Sequence, residues 1–548
     1  MVARREFLKA SLFSSGAAFA AGAFGPSVIR PLGARPLDRP VVSTSFGKLR
    51  GAFAEGAYSF KGVPYGSSTA GSLRFRRPEP PKSWTGVRDA LQLGPPAPQD
   101  LARLPSAGSS GMPIPDLIGP GHISEDCLAL NIWTPSLHGS NRPVMVWLHG
   151  GAYSIGSAGA PMYDGANLAA KHDVVVVGIN HRLNLFGFLY LGKIAGEKYA
   201  DSGNAGMLDI VLALRWIRDN IAQFGGDRNN VTVFGQSGGG GKVGALMAMP
   251  DAAGLFHKAI VESGSELQVN TSDEADQAAR KLLAHIGLEN SRVDALANMS
   301  MEQLLAGMHS MTSPDPMNVF GPVVDGRSLP RHPFHPDAPA ISAKVPMIIG
   351  TNFTETTNLL GHANPGLFSL REEELRPGLK TALGLTDDSK LDTLIEACRK
   401  DQPGAGPSDI YFALTTDQMI RNDAITQAER KVAQAAAPAY MYLFSWRTPV
   451  WGGRLQSPHG IEIPFIFENL RETKGNIGTG TDLQPLADKI SRAWVAFART
   501  GNPSHPGLTR WPTYDVEQRA TMIFDDECKV VNDPGKEQRL ARGAFPQA

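Results

Sequence analysis

Cysteine is scarce in this chain. Cys127, Cys398 and Cys528 are the three in 548 residues, too few and too widely spaced for a disulfide framework or a zinc cluster. One pair can form at most, so at least one thiol stays free or bonds to another chain; buried, inert thiols are the expectation. Charge of one sign is lacking too. Lysine plus arginine and aspartate plus glutamate both number 53, and a chain with no positive excess has no field to draw in a phosphate backbone. Nucleic acid is thereby excluded as a main partner. Repeats and low-complexity tracts are also missing. What remains is 42% hydrophobic and 19% charged, ordinary globular material with enough apolar residues for one large core.

The N-terminus stands apart. Arg4-Arg5-Glu6-Phe7-Leu8-Lys9 precedes a weakly apolar, Ala- and Gly-rich run from Ala10 to Gly25, with small residues at Ala21-Gly22-Ala23. A positive head, a short apolar run and small-residue sites describe an export signal rather than a membrane span. The paired arginines resemble a twin-arginine signal, which a receptor reads on proteins that are already folded. Residues 1–38 are therefore expected to be signal and tether, with export to the periplasm or beyond, and residues 39–548 a single folded domain. After this segment no stretch offers the roughly 20 unbroken apolar residues of a spanning helix, so no stable membrane insertion is expected.

Short apolar runs alternate with helical patterns, which predicts an α/β fold with a mostly parallel sheet flanked by helices. Val144–Leu148, Val174–Val177, Val231–Phe234, Ala259–Val261, Met347–Ile349 and Tyr440–Phe444 read as strands buried on both faces. Met207, Ile210, Val211, Leu214, Ile217 and Ile221 recur at three- and four-residue spacing, one apolar face of a helix that Gly225-Gly226-Asp227 stops. The stretch 93–124, rich in Pro, Gly and Ser, reads as a long surface loop.

The central motif is Gly235-Gln236-Ser237-Gly238-Gly239, between the strand ending at Phe234 and the helical stretch Val243 to Met249. A serine on a tight strand-to-helix turn is the context of a nucleophile elbow, and the helix N-terminus behind it favours developing negative charge. His149-Gly150-Gly151-Ala152, after the strand ending at Leu148, matches the loop that supplies backbone N–H donors to an oxyanion. Gly238 to Lys242 superficially resembles a phosphate loop, but the spacing is wrong and Val243 stands where Ser or Thr would hold magnesium. No metal or organic cofactor is implied.

With these motifs the chain resembles the type-B carboxylesterases, a family that includes bacterial para-nitrobenzyl esterases, liver carboxylesterases and cholinesterases. The matching stretches run in order: Phe60–Tyr65, Ser124–Ile132, Trp147–Gly156, Phe224–Asp227, the elbow, Gly321–Gly326 and Thr500–Pro503. The resemblance implies an α/β-hydrolase fold, with extended loops and helical insertions over an active-site gorge. It also implies a triad in the chain order serine, acid, histidine. The family acid falls in a Gly-x-Asn-x-x-Glu context, which places it at Glu355; Asp325, followed by Gly326, is the rival and reads better as a turn. The family histidine falls in a His-Gly-x-Glu context, which is met by His459 in His459-Gly460-Ile461-Glu462. The oxyanion donors carried over are the backbone N–H groups of Gly151, Ala152 and Gly238, and Gln236, Ser263 and Glu462 are expected around the triad. The implied reaction is cleavage of a small-molecule carboxylic ester through an acyl-enzyme.

Some positions depart from the family. Gln236 stands where most relatives have Glu, removing a negative charge beside the imidazole, so a lower optimum pH is expected. Gly238 replaces the usual Ala and is expected to loosen an oxyanion donor. Cys127 matches a family cysteine, but its expected partner position holds Ala97, so that disulfide is not expected. Residues 99–124 contain no aromatic residue to grip a quaternary ammonium, which favours neutral or moderately apolar esters over choline esters. The triad serves carbamate, amide and thioester cleavage as well, and the fold alone also admits a non-catalytic, cholinesterase-like binding protein. The residues do not choose an oligomeric state.

Overall fold

The computed structural model describes residues 39–100, 118–139, 141–311, 319–480 and 483–545. The expected signal and tether over residues 1–38 lie outside these, as does 101–117 of the long loop. An eleven-stranded sheet forms the centre. Its strands are β1 (Ala52–Ala54), β2 (Ala57–Pro64), β3 (Ala129–Thr134), β4 (Arg142–Leu148), β5 (Val175–Ile179) and β6 (Gly226–Gln236), then β7 (Lys258–Glu262), β8 (Met347–Asn352), β9 (Ala439–Phe444), β10 (Ala520–Phe524) and β11 (Lys529–Asn532). Their spatial order is β11-β10-β9-β8-β7-β6-β4-β5-β3-β2-β1. From β10 to β5 every neighbouring pair is parallel, while the edges are closed by antiparallel pairs. The fold is that of an α/β hydrolase.

Each strand read from an unbroken apolar run is present, and the reason is visible in β4. Val144, Val146 and Leu148 point into one hydrophobic cluster, which also contains Met207, Ile210 and Leu214 of helix α1 (Ala205–Asn220) and Val243 and Leu246 of helix α2 (Gly238–Ala248). The alternate residues Met145 and Trp147 point into a second cluster, with Leu486, Ile490 and Trp494 of helix α4 (Leu483–Thr500). Side chains alternate across a strand, so a strand covered on both faces must be apolar at every position. Between β8 and β9 the chain leaves the sheet for a helical excursion that ends in α3 (Asn422–Ala433) and has its own apolar cluster around Leu375, Leu394 and Leu414. Cys127, Cys398 and Cys528 are all free thiols, and Cys127 and Cys398 are buried. Among the described residues no helix is long and apolar enough to cross a membrane, and no group of three or more His, Cys, Asp and Glu could hold a metal ion.

Candidate active site

The strand β6 ends at Gln236 and helix α2 starts at Gly238, so Ser237 must reverse the chain in one residue. It does so at φ 58° and ψ −129°, a region that costs an L-residue of order 1–3 kcal/mol and survives only where the surroundings over-determine it. Here they do: the Ser237 N–H donates to the Glu262 carbonyl at 2.8 Å, and the Ser237 carbonyl accepts from the Gly241 N–H at 3.1 Å. A side chain on Gly239 would stand 2.0 Å from the Leu148 carbonyl oxygen, so the bare backbone lets α2 lie directly against the end of β4. The helix therefore begins at Gly238, five residues before the first apolar residue that announced it.

His459 and Glu355 come from loops after β9 and β8, and the fold brings them together. His459 Nδ1 lies 2.7 Å from Glu355 Oε2. The other carboxylate oxygen of Glu355 accepts the Asn352 N–H at 2.7 Å, and the Glu355 side chain is fully buried. The His459 backbone is held by Asn358, whose amide donates to the His459 carbonyl at 3.0 Å and whose oxygen accepts the His459 N–H at 3.1 Å. Burial disfavours the imidazolium, but the facing Glu355 carboxylate, its hydrogen bond and the more distant Glu462 outweigh burial and raise the His459 pKa above its ordinary value. With Nδ1–H toward Glu355, Nε2 is the accepting nitrogen, and in this structure the Gln236 carboxamide lies against it at 3.2 Å. Asp325 instead caps its own turn, accepting the N–H groups of Arg327 and Leu329.

The three residues expected around the triad behave differently from one another. Gln236 touches the imidazole directly, its carboxamide nitrogen 3.2 Å from His459 Nε2. Glu462 accepts from the Asn352 amide at 2.6 Å; burial first and Glu355 second push its pKa up to about 7. Ser263 is buried with a left-handed backbone, φ 49°; among the described residues its hydroxyl has no hydrogen-bond partner, while its backbone N–H donates to the Gly350 carbonyl at 2.8 Å.

The loop carrying Gly151 and Ala152 lies against the elbow, both residues at positive φ, 88° and 51°. A Cβ on Gly238 would lie 2.2 Å from the Ala152 carbonyl oxygen and 2.4 Å from its Cα; glycine here permits a close approach of the two segments. Sequence reading missed Asn352, Asn358 and Lys242. The asparagine in Gly350-Thr351-Asn352 was within the motif used to find Glu355, so its signal was available; the other two had none that was local. A small cavity beside His459 is lined by Asn358, His362, Trp451, Leu455, Pro458 and Pro464, among others.

The carboxylesterase family model matches residues 38–542. The chain is 36% identical over 515 residues to the para-nitrobenzyl esterase of Bacillus subtilis, covering 92% of this chain and 98% of that one. It is 34% identical to the phenmedipham hydrolase of Pseudarthrobacter oxydans, covering 90% and 96%. Among solved structures, a Geobacillus stearothermophilus carboxylesterase superposes with a TM-score of 0.79 at 36% identity, covering 92% of this chain and 100% of that one.

Proposed function

We infer that Ser237, His459 and Glu355 carry the chemistry of this chain, which belongs to the carboxylesterase family and is a hydrolase of carboxylic esters. Two observations carry the reading: the 2.7 Å contact of His459 with Glu355 and a serine held at an elbow one residue after Gln236, which itself touches His459. Ser237 Oγ attacks the ester carbonyl carbon as its proton passes to His459 Nε2. Glu355 holds the imidazole in the Nδ1–H tautomer and stabilises the cation. The backbone N–H groups of Gly151, Ala152 and Gly238 take the developing oxyanion. The C–O bond then breaks, the alcohol leaves with the proton from His459, and water repeats the sequence on the acyl-enzyme.

The cavity beside His459, with Trp451, Leu455, Pro458 and Pro464 in its wall, supports neutral, moderately apolar esters as substrates. The same triad serves carbamate cleavage, which is the second chemistry to test. The Arg4-Arg5 motif supports export to the periplasm or medium. The test of function is turnover of para-nitrophenyl esters from acetate to long acyl chains, with an organophosphonate label located by mass spectrometry. Saturable turnover and one label on Ser237 are expected. A label on another residue, or none, would overturn the assignment.

Gln236 makes a separate prediction. A carboxylate at its position, about 3 Å from Nε2, would add a negative charge where the imidazolium forms, and opposite charges this close shift a pKa by about one unit or more. Activity needs neutral His459, so it rises as pH climbs through that pKa. Gln236→Glu is therefore expected to move the acid limb of kcat/KM upward by about one unit; an unmoved limb would refute the role.

A further inference from the structure

Lys242 is a buried lysine that the triad does not use. It sits one turn into α2, with no solvent exposure, and its ammonium donates to two backbone carbonyls, His149 at 3.0 Å and Ala152 at 2.8 Å. The Tyr153 ring lies 5.3 Å from it, and the Tyr153 hydroxyl is bonded to the Glu266 carboxylate. Burial pulls the Lys242 pKa down to about 7, with Glu266 acting the other way. Among the described residues no carboxylate lies in hydrogen-bond contact with the Lys242 amine, and in its charged form such a group is costly to bury. Apolar packing would serve stability at least as well, so its reason has to be sought in what it holds.

The two carbonyls it holds bracket the run Gly150-Gly151-Ala152. The other two carbonyls of that run are also engaged: Gly151 O accepts from Ser154 and Ile155, and Gly150 O faces His149 Nδ1 at 2.8 Å. Burial and then Lys242 lower the His149 pKa to about 3, so that ring is neutral and donates to Gly150 O. In a planar trans peptide the N–H points opposite to the C=O. The Gly151 and Ala152 amides share their peptide planes with the Gly150 and Gly151 carbonyls, held by His149 and by the Ser154 and Ile155 N–H groups, and Lys242 anchors the plane on either side of these two. Gly238 is addressed to the same atom, since its missing Cβ leaves room for the Ala152 oxygen that Lys242 grips.

We propose that Lys242 is a positioning residue for ester hydrolysis, clamping the oxyanion loop by the His149 and Ala152 carbonyls so that its amides meet the tetrahedral oxyanion. This rests on the oxyanion reading above. It acts on the transition state and not on ground-state binding, because the donors are needed where charge develops.

The test compares Lys242→Met, which keeps length and loses every donor, with Lys242→Gln, which keeps an amide donor. Steady-state kinetics on a para-nitrophenyl ester are measured beside inhibition by a trifluoromethyl ketone, whose adduct with serine carries an oxyanion, and beside thermal melting. Lys242→Met is expected to lose about 10²-fold in kcat, the scale of a 1 Å misplacement, with KM changed less than about threefold and ketone affinity falling in step with kcat/KM. Lys242→Gln is expected to lose less. A folded Lys242→Met with wild-type kcat and ketone affinity overturns the proposal, as does a loss confined to KM. If Lys242→Met does not fold, Lys242→Gln decides: ketone affinity falling with kcat/KM supports the clamp, and a fall in either one alone overturns it. Failure of the wild type to take a phosphonate on Ser237 would instead remove the reading of the site itself.

Discussion

Ser237→Ala is expected to lower kcat on para-nitrophenyl esters by about 10³- to 10⁶-fold, the range seen when one member of such a triad is removed. The change deletes one oxygen and keeps the Cβ, so the elbow conformation at φ 58° and its bonds to Glu262 and Gly241 have no reason to alter. Melting temperature and the binding of a product acid should stay near wild type. The residual rate would come from the oxyanion donors and substrate binding alone. Burst kinetics with a nitrophenyl ester offer the sharpest check, since the wild type should release one equivalent of nitrophenol as the acyl-enzyme forms and the variant none. A variant that keeps a tenth or more of the wild-type rate would place the nucleophile elsewhere.

Gly238→Ala is expected to be the next most damaging, at about 10²-fold in kcat, because a displacement near 1 Å in the reacting geometry costs on that order. The added methyl carbon would meet Ala152 backbone atoms at 2.2 to 2.5 Å. No side-chain rotation relieves a clash between two backbones, so the oxyanion loop has to retreat from the elbow. That retreat also lengthens the bond from Lys242 to the Ala152 carbonyl, now 2.8 Å. Overpacking of this kind costs typically 1–3 kcal/mol in stability, which a fall in melting temperature would report. Because Gly238 and Lys242 act on one carbonyl, their effects should not add: Gly238→Ala with Lys242→Met should lose clearly less than the product of the single losses. Wild-type turnover in Gly238→Ala would mean that the loop has slack that the packing does not show.

The sheet and the elbow were legible in the residues alone. Strands such as β4 and β6 are covered on both faces and so are written as unbroken apolar runs, and the turn at Ser237 needs small residues within two positions of it. These are short-range requirements, met by neighbours in the chain, and they are therefore legible in a string of letters. Glu355 and His459 were reached through motifs of a resembling family, since nothing local ties two residues 104 positions apart. The remaining roles come from contacts made across the fold. Asn358 matters because it brackets the backbone of a histidine 101 positions away. Gly238 matters because the Ala152 carbonyl stands in the space its Cβ would fill. Lys242 read as part of a failed phosphate loop until its ammonium met carbonyls 93 and 90 positions earlier. A buried polar group takes its meaning from whichever partners satisfy it, and those are chosen by how strands and loops distant in sequence converge at the ends of the sheet.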